Sequence, residues 1–255
     1  MENIALAPNI VFTLWGKVPI TSSHITLWVI ALIIIVMSFV VSKNASIIPS
    51  GLQMFFEGVY VWFDEKISLA FSNKKLAAKI APMIISFFIV ILFSNNFGIL
   101  PVINNLVING QPLMKTPTSH LSMTLALTLI ALVVTHITAF SIRPLKYIGN
   151  YIKIGPLFKA RSGGEFAMGL LDLFLGILDI VGELAKIISL SCRLFGNVLA
   201  GELMAIVVIG LSVYTQFVVP IPFIVLSLFS GVIQAAVFAL LSLNYISLAV
   251  ASVEE

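Results

Sequence analysis

Apolar residues in this chain do not alternate with polar ones; they come in long blocks divided by short polar stretches. The blocks cover about residues 23–42, 80–101, 119–142, 164–213 and 220–253. Each exceeds the ~18 apolar residues that mark a membrane-crossing helix. Without period-2 alternation, the strands of an outer-membrane barrel are not expected. Residues 50–72 have a different pattern: Phe55, Phe56, Val59, Tyr60 and Trp62 are mixed with Glu57, Asp64, Glu65 and Lys66. That mixture predicts an amphipathic helix lying at the headgroup level, where aromatic side chains are favoured. The fold expected is an all-α polytopic membrane protein, one membrane domain over 1–255. It has five transmembrane helices, one interfacial helix and residues 1–22 as an external N-terminal segment.

The block 164–213 is too long for a simple crossing. About 50 residues at 1.5 Å each make ~75 Å of helix, against a hydrocarbon core of ~30 Å. Two spans with a hidden turn, or one strongly tilted helix, would both accommodate it. The absence of a turn signal between Leu170 and Val213 favours the tilted helix.

Composition sharpens this picture. The chain is 60% hydrophobic and 10% charged, against about 25% charged residues in a soluble domain. Its positive residues sit in the connections. With five crossings, Lys43, Lys66, Lys74, Lys75, Lys79, Arg143, Lys146, Lys153, Lys159 and Arg161 fall on one side, and only Lys17 and Lys115 on the other. The positive-inside rule makes the first side cytoplasmic, so the N-terminus is expected outside and the C-terminus inside. No basic stripe points to nucleic acid. The single Cys192 excludes an internal disulfide, and no Cys/His grouping has metal-ligand spacing, so no cofactor is expected. No removable signal peptide is expected, because no basic n-region precedes an h-region and cleavage site.

Ionisable residues inside the apolar blocks are costly and mark function. Arg193 is the only lysine or arginine after Lys186, and its guanidinium stays charged at any physiological pH. At membrane depth it costs about 2.5–3.5 kcal/mol on insertion scales. Asp172, Asp179, Lys186 and Arg193 recur every seven residues and share a slowly drifting face. Glu183 and Lys186 are spaced to neutralise each other. Arg193 has no carboxylate at i±3 or i±4, and Glu202 lies about 180° around the helix and ~13 Å along it. The other spans offer Asn95, Asn96, His120, His136, Gln234 and Asn244, none with a fixed charge. The spacing therefore points to a carboxylate from another chain as the partner of Arg193.

Each position also has a structural reading. Arg193 could bond backbone carbonyls or Gln234, Asp179 could pair with Lys186, and Asn197 and Gln234 could be interhelical hydrogen-bond links. The small residues Ser189, Ser191, Gly196, Ala200 and Gly201 permit close helix approach, and equally leave the arginine face open to a partner. Glu202 has no neighbour along its helix to neutralise it.

The block Ser189-Leu-Ser-Cys-Arg-Leu-Phe-Gly-Asn197, followed by Ala200-Gly201-Glu202, resembles the hallmark SLxxRLFxN segment of the F-type ATP synthase subunit a family. Asn95-Asn-Phe-Gly98-Ile-Leu-Pro101, Pro117-Thr118 with Thr124-Leu-Ala-Leu127, and Gln234 eleven residues before Tyr245 resemble further family features, in the same order. The resemblance extends from about residue 20 to the end. Asp179 stands where the family usually has glutamate. His120, Ser122 and Ser227 stand where many or some members carry an acid, an asparagine and a titratable group.

The resemblance implies a stator beside a rotating ring of c subunits, held by b-type peripheral-stalk subunits of the whole complex. It implies that the last two spans form a tilted hairpin against the ring. It further implies that Arg193 faces the ring carboxylate, with Glu202, Asn197, Gln234 and Asp179 in proton translocation. His120, Glu183, Lys186, Ser227 and Tyr245 are candidate channel-lining residues. Such a chain catalyses nothing by itself and takes no substrate beyond H⁺, or Na⁺ in a sodium-translocating version. A bacterial plasma membrane is expected. The rival from another class, an ion-coupled secondary transporter binding an anion at Arg193, predicts internal repeats with paired broken helices; none is visible.

Overall fold

The computed structural model of the chain describes residues 10–14, 18–49, 51–97, 107–108, 111–112, 115–151, 163–211 and 219–254. Lys17, Gly98, Pro101, Lys153, Lys159, Arg161 and Val213, used in the sequence reading, lie outside these residues.

The described residues form seven helices: α1 Ser22–Lys43, α2 Leu52–Ala70, α3 Lys74–Phe97, α4 Leu121–Ile142, α5 Pro144–Tyr151, α6 Gly163–Leu211 and α7 Pro220–Glu254. Four of them, α1, α3, α4 and α7, are long and apolar enough to cross a membrane. The chain is a polytopic, predominantly helical membrane protein. Two small hairpins qualify the all-helical expectation. Strand β1, Ile10–Leu14, pairs antiparallel with β2, Val18–Thr21. Strand β3, Val107–Ile108, pairs likewise with β4, Gln111–Pro112. Both lie between or before the apolar blocks, where a short run of β-branched residues has only its own neighbour to satisfy its backbone groups.

Helix α1 begins at a reciprocal cap. Thr21 is the N-cap, and the side chain of His24, three residues on, reaches back to the Thr21 backbone N–H at 3.3 Å and its Oγ1 at 2.7 Å. Helix α2 follows Gly51, whose φ of 54° is a left-handed conformation that glycine adopts without steric cost. Gln53 clamps the preceding loop, accepting from the Ser46 backbone N–H and donating to the Ser46 carbonyl at 2.8 Å. Phe63 and Ile67, one turn apart, are buried, while Phe55, Tyr60 and Trp62 are exposed. Ahead of α4, Pro117–Ser119 form a single 3₁₀ turn, so the apolar helix starts at Leu121 and leaves Ser119 and His120 just before it.

The chain divides into two compact units: Met1–Thr124 with Arg193–Leu240, and Leu125–Cys192 with Leu241–Glu255. In the first, the rings of Phe63 and Phe88 stack 5.2 Å apart and those of Phe87 and Phe238 meet edge to face at 5.6 Å. These contacts join α2 to α3 and α3 to α7. In the second, Ala139 of α4, Tyr147 of α5 and Val253 of α7 form a buried cluster with Ala249 against it. Many large apolar side chains of α1, α4 and α6 remain exposed. In lipid that is the expected outward face, because helices there associate by close packing and hydrogen bonds rather than by escape from water.

Candidate functional site

Helix α6 carries the functional segment as one uninterrupted helix of 49 residues. Arg193 is exposed on it, between the buried Ser191 and Leu194. Among the described residues it makes no hydrogen bond and no ion pair, either to Gln234 or to a backbone carbonyl. Gly196 and Ala200, one and two turns further along the same face, are exposed as well. A methyl group placed on Gly196 would meet nothing within 4 Å. The guanidinium therefore stands on an open face of small residues.

Asn197, one turn on from Arg193, is engaged with α7. Its amide accepts from Ser230 Oγ at 2.6 Å and donates to the Ser230 carbonyl at 3.4 Å, linking α6 to α7. One turn further on, Gly201 brings α6 so close to α7 that a Cβ there would lie 3.0 Å from Ser227 Oγ. Ser227 is thus a packing partner of the segment that presents Glu202. The Glu202 carboxyl, half-buried, is within hydrogen-bonding reach of the Thr116 and Ser119 hydroxyls and faces Lys115. That stretch is itself well anchored. Ser119 Oγ donates to the Thr116 carbonyl at 2.8 Å, and the Lys115 backbone N–H donates to Thr26 Oγ1 at 3.1 Å.

A neutral relay continues inward from the same turn. Thr118, fully buried, donates to Asn95 Oδ1 at 2.8 Å, and Asn95 Nδ2 donates to the Gly231 carbonyl at 3.4 Å. Gln234, one turn beyond Gly231, is buried, and its Nε2 has no hydrogen-bond partner among the described residues. His120 is half-buried at the start of this cluster. Burial first, then the positive charge of Lys115 and the neighbouring His24, hold its pKa below the ordinary imidazole value.

The remaining candidates belong to the second unit. Lys186 Nζ is 2.7 Å from Glu183 Oε1 and sits 5.2 Å from the centre of the Tyr245 ring. These three residues form one cluster joining α6 to α7. Asp179 is exposed on α6. His136 of α4 and Tyr147 of α5 are in direct hydrogen-bond contact at 2.5 Å.

The sequence-predicted residues thus fall into two groups. Glu202, Ser227, Asn197, Gln234 and His120 belong to one polar cluster with Arg193 on the same helix; Glu183, Lys186 and Tyr245 belong to another. Sequence reasoning did not name Lys115, Thr116, Ser119, Ser230 or His24 as site residues. The signal for three of them was present: Lys115-Thr-Pro-Thr-Ser119 packs hydroxyls beside a lysine immediately before an apolar block.

Residues 24–247 match the family described as ATP synthase A chain. The chain is 32% identical over 224 residues to an ATP synthase subunit a of Syntrophobacter fumaroxidans, covering 87% of this chain and 82% of that one. It is 33% identical over 228 residues to an ATP synthase subunit a of Gloeobacter violaceus, covering 89% and 82%. A third, from Moorella thermoacetica, is 31% identical over 239 residues, covering 91% and 92%. Matched over nearly its whole length, this helical membrane chain, whose exposed Arg193 has no partner among the described residues, belongs to the ATP synthase A chain family.

Proposed function

We propose that this chain is the proton-conducting stator of a rotary ATP synthase in a bacterial plasma membrane, and that Arg193 is the group facing the ring of c subunits. Five helices cross the bilayer in this reading, with α6 as the fourth crossing in chain order, strongly tilted and paired with α7 as a hairpin against the ring. The N-terminus is outside and the C-terminus cytoplasmic; b-type stalk subunits hold the chain against rotation. The observation that carries the proposal is the exposed guanidinium with no partner among the described residues. A charge that costly at membrane depth needs a counter-charge, and the open face supplies room for one from another chain.

Two half-channels reach the ring, one through each polar cluster. A proton entering past Glu202, Thr116, Ser119 and Gln234 neutralises a ring carboxylate, which then turns into lipid. After nearly a full turn it meets Arg193 from the side of Glu183, Lys186, Tyr245 and Asp179. At ~4 Å and an effective dielectric of ~20, the guanidinium stabilises the carboxylate by about 4 kcal/mol, so the proton leaves. Because it holds its own protons, Arg193 also blocks direct hopping between the two paths. Asn197, committed to Ser230, fixes the rotation of α6 about its axis and hence where Arg193 points.

The test is ATP-driven acidification of vesicles bearing the assembled complex, with passive proton leak recorded in parallel. Arg193→Ala should abolish pumping while leaving assembly intact and the leak equal or higher. Arg193→Lys should also pump poorly, because a buried ammonium can lose its proton. Undiminished pumping in Arg193→Ala would refute the proposal.

A further inference from the structure

The connection from α1 to α2 presents two large apolar side chains outward while its backbone is held fast. Ile47 is fully exposed and Ile48 is 83% exposed. A loop free to choose in water would turn at least one of them inward. This one is clamped. Gln53, buried in the first turn of α2, accepts from the Ser46 N–H at 3.1 Å and donates to the Ser46 carbonyl at 2.8 Å. Its Nε2 also donates to Glu57 Oε1 at 2.7 Å, which fixes the orientation of the amide. Ser46 Oγ donates to the Ile48 carbonyl at 2.7 Å, and Pro49 has no N–H to satisfy. Backbone groups at the tip are thus satisfied from within, as a segment leaving water requires.

We propose that Ile47 and Ile48 are a lipid anchor. They insert at the headgroup–acyl boundary of the leaflet in which α1 ends, and hold α2 at a fixed depth and roll. The anchor belongs to the loop, beyond the interfacial position expected of α2, and does not depend on how protons reach Arg193.

The level of the loop follows from its neighbours. Helices α1 and α3 are both long and apolar enough to cross a membrane. With 22 residues at 1.5 Å each, α1 is about 33 Å long against ~30 Å of hydrocarbon, so Lys43 at its end stands among the headgroups. Ser46 is three residues further on, and the chain re-enters the bilayer at Lys74, where α3 begins.

The apolar surface continues on either side of the tip. Val36, Phe39 and Val40, in the last two turns of α1, are exposed, so the outward face of that span runs on towards Ile47. Beyond the loop, Phe55, Trp62 and Leu69 are exposed at seven-residue intervals along one flank of α2. Glu57 and Asp64 keep the same interval about 160° away, on the side left for water. No charged residue stands between Lys43 and Glu57. The nearest charge to the tip is therefore a lysine at its rim, which suits anionic headgroups.

The experiment places a nitroxide spin label at Ile47→Cys, Ile48→Cys or Asp64→Cys, one at a time, in the assembled complex in phospholipid vesicles. Cys192→Ser removes the chain's one native thiol, and the signal of that complex is subtracted. All three labelled positions are exposed, so folding does not depend on them. Collision rates are read with oxygen, which is apolar and concentrates among acyl chains, and with a polar nickel chelate, which stays in water. The oxygen-to-nickel ratio should be severalfold higher at 47 and 48 than at 64. Gln53→Ala should lower the ratio at 47 towards the value at 64, because the tip is no longer held. A ratio at 47 and 48 equal to that at 64 would place the loop in water and overturn the proposal. Low rates with both reagents would overturn it too, since another chain would then cover the tip. A ratio unchanged by Gln53→Ala would overturn the role given to the clamp.

Discussion

Gly231 is the position where packing leaves the least room, and replacing it with alanine tests the inner polar relay. It is buried in α7 against the end of α3. A methyl group there would lie 3.0 Å from Asn96 Oδ1, 3.3 Å from Asn95 Cβ and 3.5 Å from Asn96 Cγ. The first of these contacts can be relieved by swinging the Asn96 amide, at the expense of its 2.8 Å bond to the Leu92 carbonyl. The second cannot, because a Cβ follows its backbone. Relief there means separating α3 from α7, which breaks the Asn95 to Gly231 bond and loosens Thr118 behind it. Overpacking costs about 1–3 kcal/mol, and interhelical hydrogen bonds in membranes average about 0.6 kcal/mol each, so Gly231→Ala should cost about 2–4 kcal/mol. The assay is stepwise heating of the purified complex in lipid nanodiscs, scored by the fraction that retains this subunit. Asn96→Ala removes two of the three close contacts, so the double variant should recover about 1 kcal/mol relative to additivity. Wild-type stability in Gly231→Ala, or strict additivity in the double, would refute the packing argument.

Two further outcomes follow from the charged groups. Glu183→Gln leaves the Lys186 ammonium over the Tyr245 ring without its 2.7 Å counter-charge. Removing one partner of this part-buried pair should cost about 2 kcal/mol, seen as less assembled complex, and Lys186→Met in the same chain should restore assembly. His120 gives the complex a pH dependence of definite sign. Its folded-state pKa lies below the unfolded value, so the unfolded chain binds more protons between the two. The stability it contributes is full above about pH 6.5 and is lost as pH falls from there through the folded-state pKa. His120→Gln should flatten the acid limb of a thermal-stability profile; an identical limb in both proteins would show that His120 is not its source.

Legibility in the sequence followed the range of the interactions. The apolar blocks announce α1, α3, α4 and α7 because length and hydropathy are local properties. The Glu183 to Lys186 pair is visible for the same reason, three residues apart on one helix. The hairpins are not, since β3 and β4 contribute two residues each and no period can be read from two. Nor is the partner of Glu202. Thr116 and Ser119 lie more than eighty residues earlier, and nothing in a hydroxyl announces which helix will come to meet it. The same holds for Asn197, which could be recognised as an interhelical donor but not as the partner of Ser230. Gln234, weighed as a partner for Arg193, is buried beside the relay and makes no bond to it among the described residues.

The distribution of partners explains why Arg193 remains uncommitted. On α6 the two nearest acidic residues are Glu183 and Glu202, about ten residues away on either side. Each is already engaged, Glu183 with Lys186 and Glu202 with two hydroxyls and Lys115. The polar group closest along the helix, Asn197, is neutral and bonded to Ser230. A free carboxylate within reach would hold the guanidinium, worth about 4 kcal/mol at ~4 Å and an effective dielectric of ~20. Neutral hydrogen bonds do not. Asn95, Thr118, Asn197 and Ser230 hold α3, α6 and α7 together without placing a fixed charge beside Arg193. The helices are thereby fixed in place, and among the described residues Arg193 is left without a fixed counter-charge.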